Sequence, residues 1–173
     1  MAYTTIDKSS LHFNTKLYTG TASSNALTGI NFQPDWVWIK RRDGTYNHNL
    51  YDAVRGVTKE INSNNNNAES TVAQGLTAFG TDGFTLGSDD QSNASGDTFV
   101  AWNWKAGTGQ GSSNTDGTIN TTYTSANTTA GFSIIKYTGS GSAGTVGPVS
   151  YTHLRAHETV LDLVCRLLLE KKK

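Results

Sequence analysis

The chain has 173 residues, 14 Lys+Arg against 14 Asp+Glu, and an apolar fraction of 35%. Zero net charge gives no electrostatic case for nucleic acid or an anionic membrane, and no apolar run approaches the ~20 residues of a membrane span. With 18 Gly, 2 Pro, 4 Trp, 7 Tyr and 6 Phe, the composition is that of a turn-rich β protein with enough aromatics for a core, not of a disordered chain.

The first residues, Met1-Ala-Tyr-Thr-Thr-Ile-Asp7, have no basic or apolar region and show no secretory signal. Phe13, Thr15 and Leu17 share one parity and predict a strand over 13–20. Residues 19–29 read as a polar loop. Asp35-Trp-Val-Trp-Ile-Lys-Arg-Arg42 predicts the central strand, with Trp36, Trp38 and Lys40 on one side and Val37 and Ile39 on the other. Asp43-Gly44 closes it in a turn. Residues 48–55 and 56–62 read as two more extended pieces, and Ser63-Asn-Asn-Asn-Asn-Ala68 as an exposed loop. Residues 71–79 fit a short strand or a helical turn. Asp82-Gly-Phe-Thr-Leu-Gly87 is a strand between glycines, and 88–96 a polar loop. Phe99-Val-Ala-Trp-Asn-Trp-Lys105 repeats the double-tryptophan design. The pattern predicts an all-β, antiparallel β-sandwich of jelly-roll or concanavalin-like type over residues 1–107. Its structural core is expected to be Trp36, Trp38, Trp102 and Trp104, buried together.

Residues 108–130 read as a Gly/Ser/Thr/Asn-rich linker with a short strand near 118–124. Phe132-x4-Tyr137-Thr-Gly139 then repeats Phe13-x4-Tyr18-Thr-Gly20. Residues 131–147 are therefore expected to be the first strand of a truncated second repeat, poorly anchored without its partners. From Pro148 the composition changes. Residues 148–173 resemble the translation of a transposase-type sequencing adapter that ends in a run of adenines. An amphipathic helix through Leu161, Val164 and Leu168 is the competing reading. The adapter reading sets His153, His157 and Cys165 aside as site residues and implies a truncated gene product.

Candidate chemistry lies in a mixed-sign cluster, Arg41, Arg42, Asp43, Asp52 and Arg55. Arg forks bind carboxylates and phosphates bidentately, but such clusters also satisfy themselves. Arg41, Arg42, Asp43 and Arg55, with Tyr46 and Tyr51 as stacking rings, are the candidate ligand-binding residues. Asp82, Asp89, Asp90 and Asp97 offer oxygen to Ca²⁺, yet no Asp-x-Asp-x-Asp-Gly spacing occurs, and turn chemistry explains them as well. His12 and His48 without cysteine make no metal set. Residues 1–147 hold no Gly-x-Ser-x-Gly and no evident carboxylate pair, so no catalytic residue and no cofactor are assigned. Asn93, Asn120 and Asn127 each begin a glycosylation triplet.

Gly29-Ile-x-Phe-x-Pro-Asp-Trp-Val-Trp-Ile-Lys-x-Arg-Asp43, Asn49-Leu-Tyr-Asp-x-Val-Arg-Gly56, Asp82-Gly-Phe-Thr-Leu-Gly-Ser88 and Ser95-Gly-Asp-Thr-Phe-Val-Ala-Trp-Asn-Trp-Lys-Ala-Gly107 together carry a resemblance. The set resembles uncharacterised domains of marine phages and environmental viral sequence, similar in outline to concanavalin-like lectins. The resemblance implies a non-enzymatic structural or adhesion module of a tail fibre or virion appendage. Its implied partners are other virion or tail proteins, further copies of itself and a host-surface glycan. The alternatives are a carbohydrate-binding module of a larger enzyme and a polysaccharide-degrading domain. An exposed aromatic face would favour carbohydrate binding.

Overall fold

The computed structural model describes residues 6–147; the adapter-like tail lies outside them. The elements are β1 (Phe13–Thr19), β2 (Asn25–Leu27), β3 (Trp36–Arg41), β4 (His48–Asp52), β5 (Lys59–Asn62), β6 (Ser70–Thr71), β7 (Leu76–Gly80), β8 (Gly83–Leu86), β9 (Thr98–Trp104), β10 (Thr121–Asn127) and β11 (Phe132–Tyr137). A 3₁₀ turn precedes β1, and a single α-turn, α1 (Asp90–Asn93), precedes β9. The protein is all-β. Among the described residues no helix is long and apolar enough to cross a membrane.

Strands β1-β9-β3-β4-β5-β6 form a six-stranded antiparallel sheet, and β2-β8-β7 a three-stranded one. They sandwich one core. Val37 and Ile39 of β3, Phe99 and Ala101 of β9 and Tyr51 of β4 project inward from the large sheet. Leu27, Leu76, Phe84 and Leu86 meet them from the small one, with Ile30 and Phe32 from the loop before β3. Each fully buried aliphatic or aromatic side chain contributes about 1.5–3 kcal/mol.

This arrangement corrects the expected core. Trp36, Trp38, Trp102 and Trp104 are only half-buried and stand on the opposite side of the large sheet. Alternation along a strand allows one parity into the sandwich, and Val37 and Ile39 hold that place at 0% exposure. The 19–29 segment is also not all loop: Asn25–Leu27 pairs with β8, and Leu27 is in the core.

Asp35 binds the ends of three strands together. It is fully buried, and its carboxylate accepts from Ala106 N at 2.8 Å, Thr108 N at 3.0 Å and Gly109 N at 2.8 Å. Its own N–H donates to Trp104 O and its carbonyl accepts from Ala53 N, both at 2.8 Å. The glycine-rich exit from β9 is thereby folded back over the start of β3. At the other end, fully buried Asn93 accepts from Thr21 N at 3.1 Å and Asn25 Nδ2 at 2.9 Å, and donates to Ser23 O and Gly87 O. Gly20 crosses this knot so closely that a Cβ would lie 2.0 Å from Ala94 O.

Residues 121–137 form a separate antiparallel hairpin, β10–β11. It is better anchored than a lone repeat fragment would be. Phe132 stacks on Trp36 at 5.6 Å, Asn127 Nδ2 contacts His12 Nδ1 at 3.0 Å, and Ser125 Oγ accepts from Gly107 N at 3.0 Å.

Asp35→Ala would leave the buried N–H of Ala106 and the part-buried N–H groups of Thr108 and Gly109 without an acceptor. It is expected to lower unfolding stability by about 3 kcal/mol or more, read as a drop in the urea midpoint.

Candidate functional site: an aromatic face

Because β3 and β9 are antiparallel neighbours, Trp36 lies opposite Trp104 and Trp38 opposite Trp102. β1 adds Phe13 beside Trp104, Thr15 beside Trp102 and Leu17 beside Val100. β4 adds His48, Leu50 and Asp52 beside Lys40, Trp38 and Trp36. The outer face of the large sheet is therefore a field of rings. Centroid separations are 4.9 Å for Phe13–Trp104, 5.3 Å for Trp36–Trp104, 5.7 Å for Trp38–Trp102 and 5.9 Å for Trp38–His48. These lie within the range of favourable aromatic pairs.

The field has two halves. At one end Phe132 of β11 stacks on Trp36 with an 18° interplanar angle and lies 6.3 Å from Trp104. Beside it, a cleft of about 210 Å³ is lined by Trp36, Leu50, Asp52, Arg55, Ile61 and Ile134, among others. At the other end Trp38 and Trp102 have no ring of the hairpin over them. Leu17, beyond Trp102 on β1, is 59% exposed. The Trp38 Nε1 is buried and has no hydrogen-bond partner among the described residues, so the accessible part of this indole is carbon. Thr15 and His48 supply polar groups along the rim, and Lys40 stands beside them with its Nζ donating to Arg41 O at 2.6 Å and Gly44 O at 3.2 Å.

The candidate ligand-binding residues do not converge on this field. Arg41 bonds Asp43 through Nε at 2.7 Å and Asp97 through Nη1 at 2.6 Å, and its guanidinium lies 4.3 Å from the centre of the Tyr46 ring. The bond from Arg41, seconded by the N–H of Thr98, holds Asp43 down at about 2. That fork is already engaged on both arms, which closes it to an outside anion. Arg42 is exposed at the same strand end. Arg55 belongs to a different cluster. It donates to Asp52 through Nε, to Glu69 at 3.4 Å and to Leu50 O at 3.0 Å.

Tyr51 is corrected as a stacking ring. It is fully buried, and its hydroxyl donates to the carboxylate of Glu60, itself 3% exposed. Burial first, then the neighbouring Glu60 charge, pushes the Tyr51 hydroxyl up. Burial likewise raises Glu60, against the bonds from Tyr51 and Asn62 that lower it.

Asp82, Asp89 and Asp97 each have a local task. Asp82 accepts from Gly29 N at 2.9 Å and Asn31 N at 2.6 Å, and those two bonds hold it below the usual carboxylate range. Asp89 caps α1 through Ser92, and Asp97 pairs with Arg41. Asp90 is exposed in the first turn of α1. Among the described residues no three His, Cys, Asp or Glu side chains are grouped to hold a metal. Of the glycosylation triplets, Asn93 is fully buried and its side chain is bonded on both ends, so the folded chain does not present it.

Sequence reasoning had missed the roles of Phe13, Phe132 and Glu60. A readable signal existed for the first two, since each opens one copy of the repeated Phe-x4-Tyr-Thr-Gly motif.

A family model described as a domain of unknown function, DUF7483, matches residues 8–152. No curated protein and no solved structure matches the chain.

The raised Glu60 gives a test of the interior. Its folded-state value lies above its ordinary one, so its contribution to stability is complete in acid and lost as pH rises through the raised value. Asp43 and Asp82, both lowered, change charge only below about pH 5 and add no slope above it. Stability is therefore expected to fall as pH rises above the ordinary carboxylate range. Glu60→Gln should flatten that slope in urea melts at a series of pH values. An equal slope in the variant would remove Glu60 as its origin.

Proposed function

The chain belongs to the DUF7483 family, and from the geometry of its outer face we propose that it is a non-enzymatic binding module. In this reading it is a structural or adhesion unit of a tail fibre or virion appendage, works beside other virion or tail proteins, and holds a host-surface glycan. The observation that carries it is the pair Trp38 and Trp102, half-exposed on a sheet face and edged by Thr15, His48 and Lys40. Sugar rings present C–H faces that pack on indole carbon, while their hydroxyls need donors and acceptors at the rim. A flat sheet face suits a chain of sugars better than a small enclosed ligand. Repetition of the module would add avidity to a weak single contact.

The same site fits a carbohydrate-binding module of a larger enzyme, because the contact would be identical. A degrading activity of its own has less support. Asp52, the carboxylate on this face, gives one oxygen to Arg55 N at 2.7 Å and the other to Arg55 Nε. That engagement leaves it poorly placed as an acid or nucleophile.

The test is retention of the full chain on a panel of immobilised polysaccharides and a glycan array. Trp102→Ala is expected to weaken any retained interaction by about tenfold, from the loss of one stacked ring, with the melting curve as a folding control. Tyr46→Ala, at the Arg41 end, should bind as the parent does. Silence on every polysaccharide, or equal retention by Trp102→Ala, would overturn the proposal.

A further inference from the structure

The repeated motif, Phe13-x4-Tyr18-Thr-Gly20 and Phe132-x4-Tyr137-Thr-Gly139, falls on two strands, β1 and β11. The two use their hydrogen-bonding edges in opposite ways. In an antiparallel ladder, successive residues bond alternately to one neighbour and to the other. For β1 the pairing with β9 is flanked by Lys105 N to His12 O and Gly20 N to Asp97 O, both at 2.9 Å. The even-numbered residues of β1 thus turn toward β9. Phe13, Thr15 and Leu17 turn the other way, where, among the described residues, β1 is the edge of the sheet.

The hairpin shows the complementary choice. Thr124 of β10 accepts from Ser112 N at 3.2 Å and donates to Ser112 O at 2.6 Å, away from β11. Its neighbour Ser125, and Asn127 beyond, therefore turn toward β11, opposite Ile134 and Phe132. In the repeat, Phe132 and Ile134 correspond to Phe13 and Thr15. So β11 gives β10 the edge that β1 leaves open, and leaves open the edge that β1 gives to β9.

We propose that the open edge of β1 is a docking site for a strand of β10 sequence supplied by a second copy of this module, whose β10 exchanges its own β11 for β1. The added strand would be the seventh of the large sheet, and the β10–β11 hairpin is the covalently linked form of the same junction. β1 suits this role. It pairs with β9 without a register shift over all seven residues, and neither a proline nor a bulge blunts its outer edge. The Thr15 N–H is held by the Asn14 side chain at 2.9 Å, a local bond that an incoming carbonyl can replace. The inference is independent of the carbohydrate reading.

The test uses the full chain and a synthetic peptide of residues 118–128, read by residue-resolved amide hydrogen exchange. The peptide is expected to slow exchange of the Leu17 amide by about tenfold or more, while Lys16 and Tyr18, already bonded to β9, stay unchanged. A scrambled peptide should do nothing. Leu17→Pro removes the edge N–H without touching the β9 ladder and should abolish peptide binding; the exchange result on the parent chain stands even if that variant misfolds. Unchanged Leu17 exchange at millimolar peptide would overturn the proposal. So would slowing at Ser133 and Ile135 in its place.

Discussion

The structure depends on the pairing of β3 with β9. That register sets Trp36 against Trp104 and Trp38 against Trp102, and in the same stroke sends Val37, Ile39, Phe99 and Ala101 to the other side. Both sides are apolar, but among the described residues the three-stranded sheet seals one of them and the β10–β11 hairpin covers only part of the other. The sealed side is the one where branched side chains pack with Phe32, Phe84, Phe99 and Tyr51 at near-zero exposure. The indoles are left with partial cover. What distinguishes this face from an ordinary sandwich exterior follows from that unequal division.

Polar groups then fix the loops. Asp35, Asn93 and the Tyr51–Glu60 pair are all buried and all bonded; Asp35 and Asn93 join segments far apart in sequence, and the Tyr51–Glu60 pair ties β4 to its neighbour β5. Such groups cost free energy to bury and regain it only through their partners. They therefore specify one loop arrangement among several that the apolar core alone would accept. The many glycines and serines around them would otherwise give those loops wide freedom.

Much of this was legible in the sequence, and the limits were physical. The strands β3, β8 and β9 stand out because apolar runs end at glycine or Asp-Gly. The two tryptophan segments could be matched from composition. Which parity is sealed could not be read, since it depends on where Leu27, Phe84 and Leu86 come to rest. β2 is three residues long inside a polar stretch and carries too little pattern to register. Arg41 and Arg55 read as members of one mixed-sign cluster, yet the second carboxylate of Arg41, Asp97, comes from the turn before β9, and Arg55 pairs with Asp52 and Glu69. Asp35 read as the first residue of the central strand, and nothing local announces the three amides it gathers from 106–109.

The carboxylate of Asp35 also bears on how the module would carry mechanical load. The chain leaves β9 through Ala106-Gly-Thr-Gly109, a stretch that in isolation would act as a slack tether. Held by Asp35, it leads instead to the start of β3, an interior strand of the large sheet. A pull on anything downstream would reach that interior strand before it could peel an edge. In a fibre built from such units, tension would be borne in shear by the centre of each sheet, and the glycines would give way only after that anchor had failed.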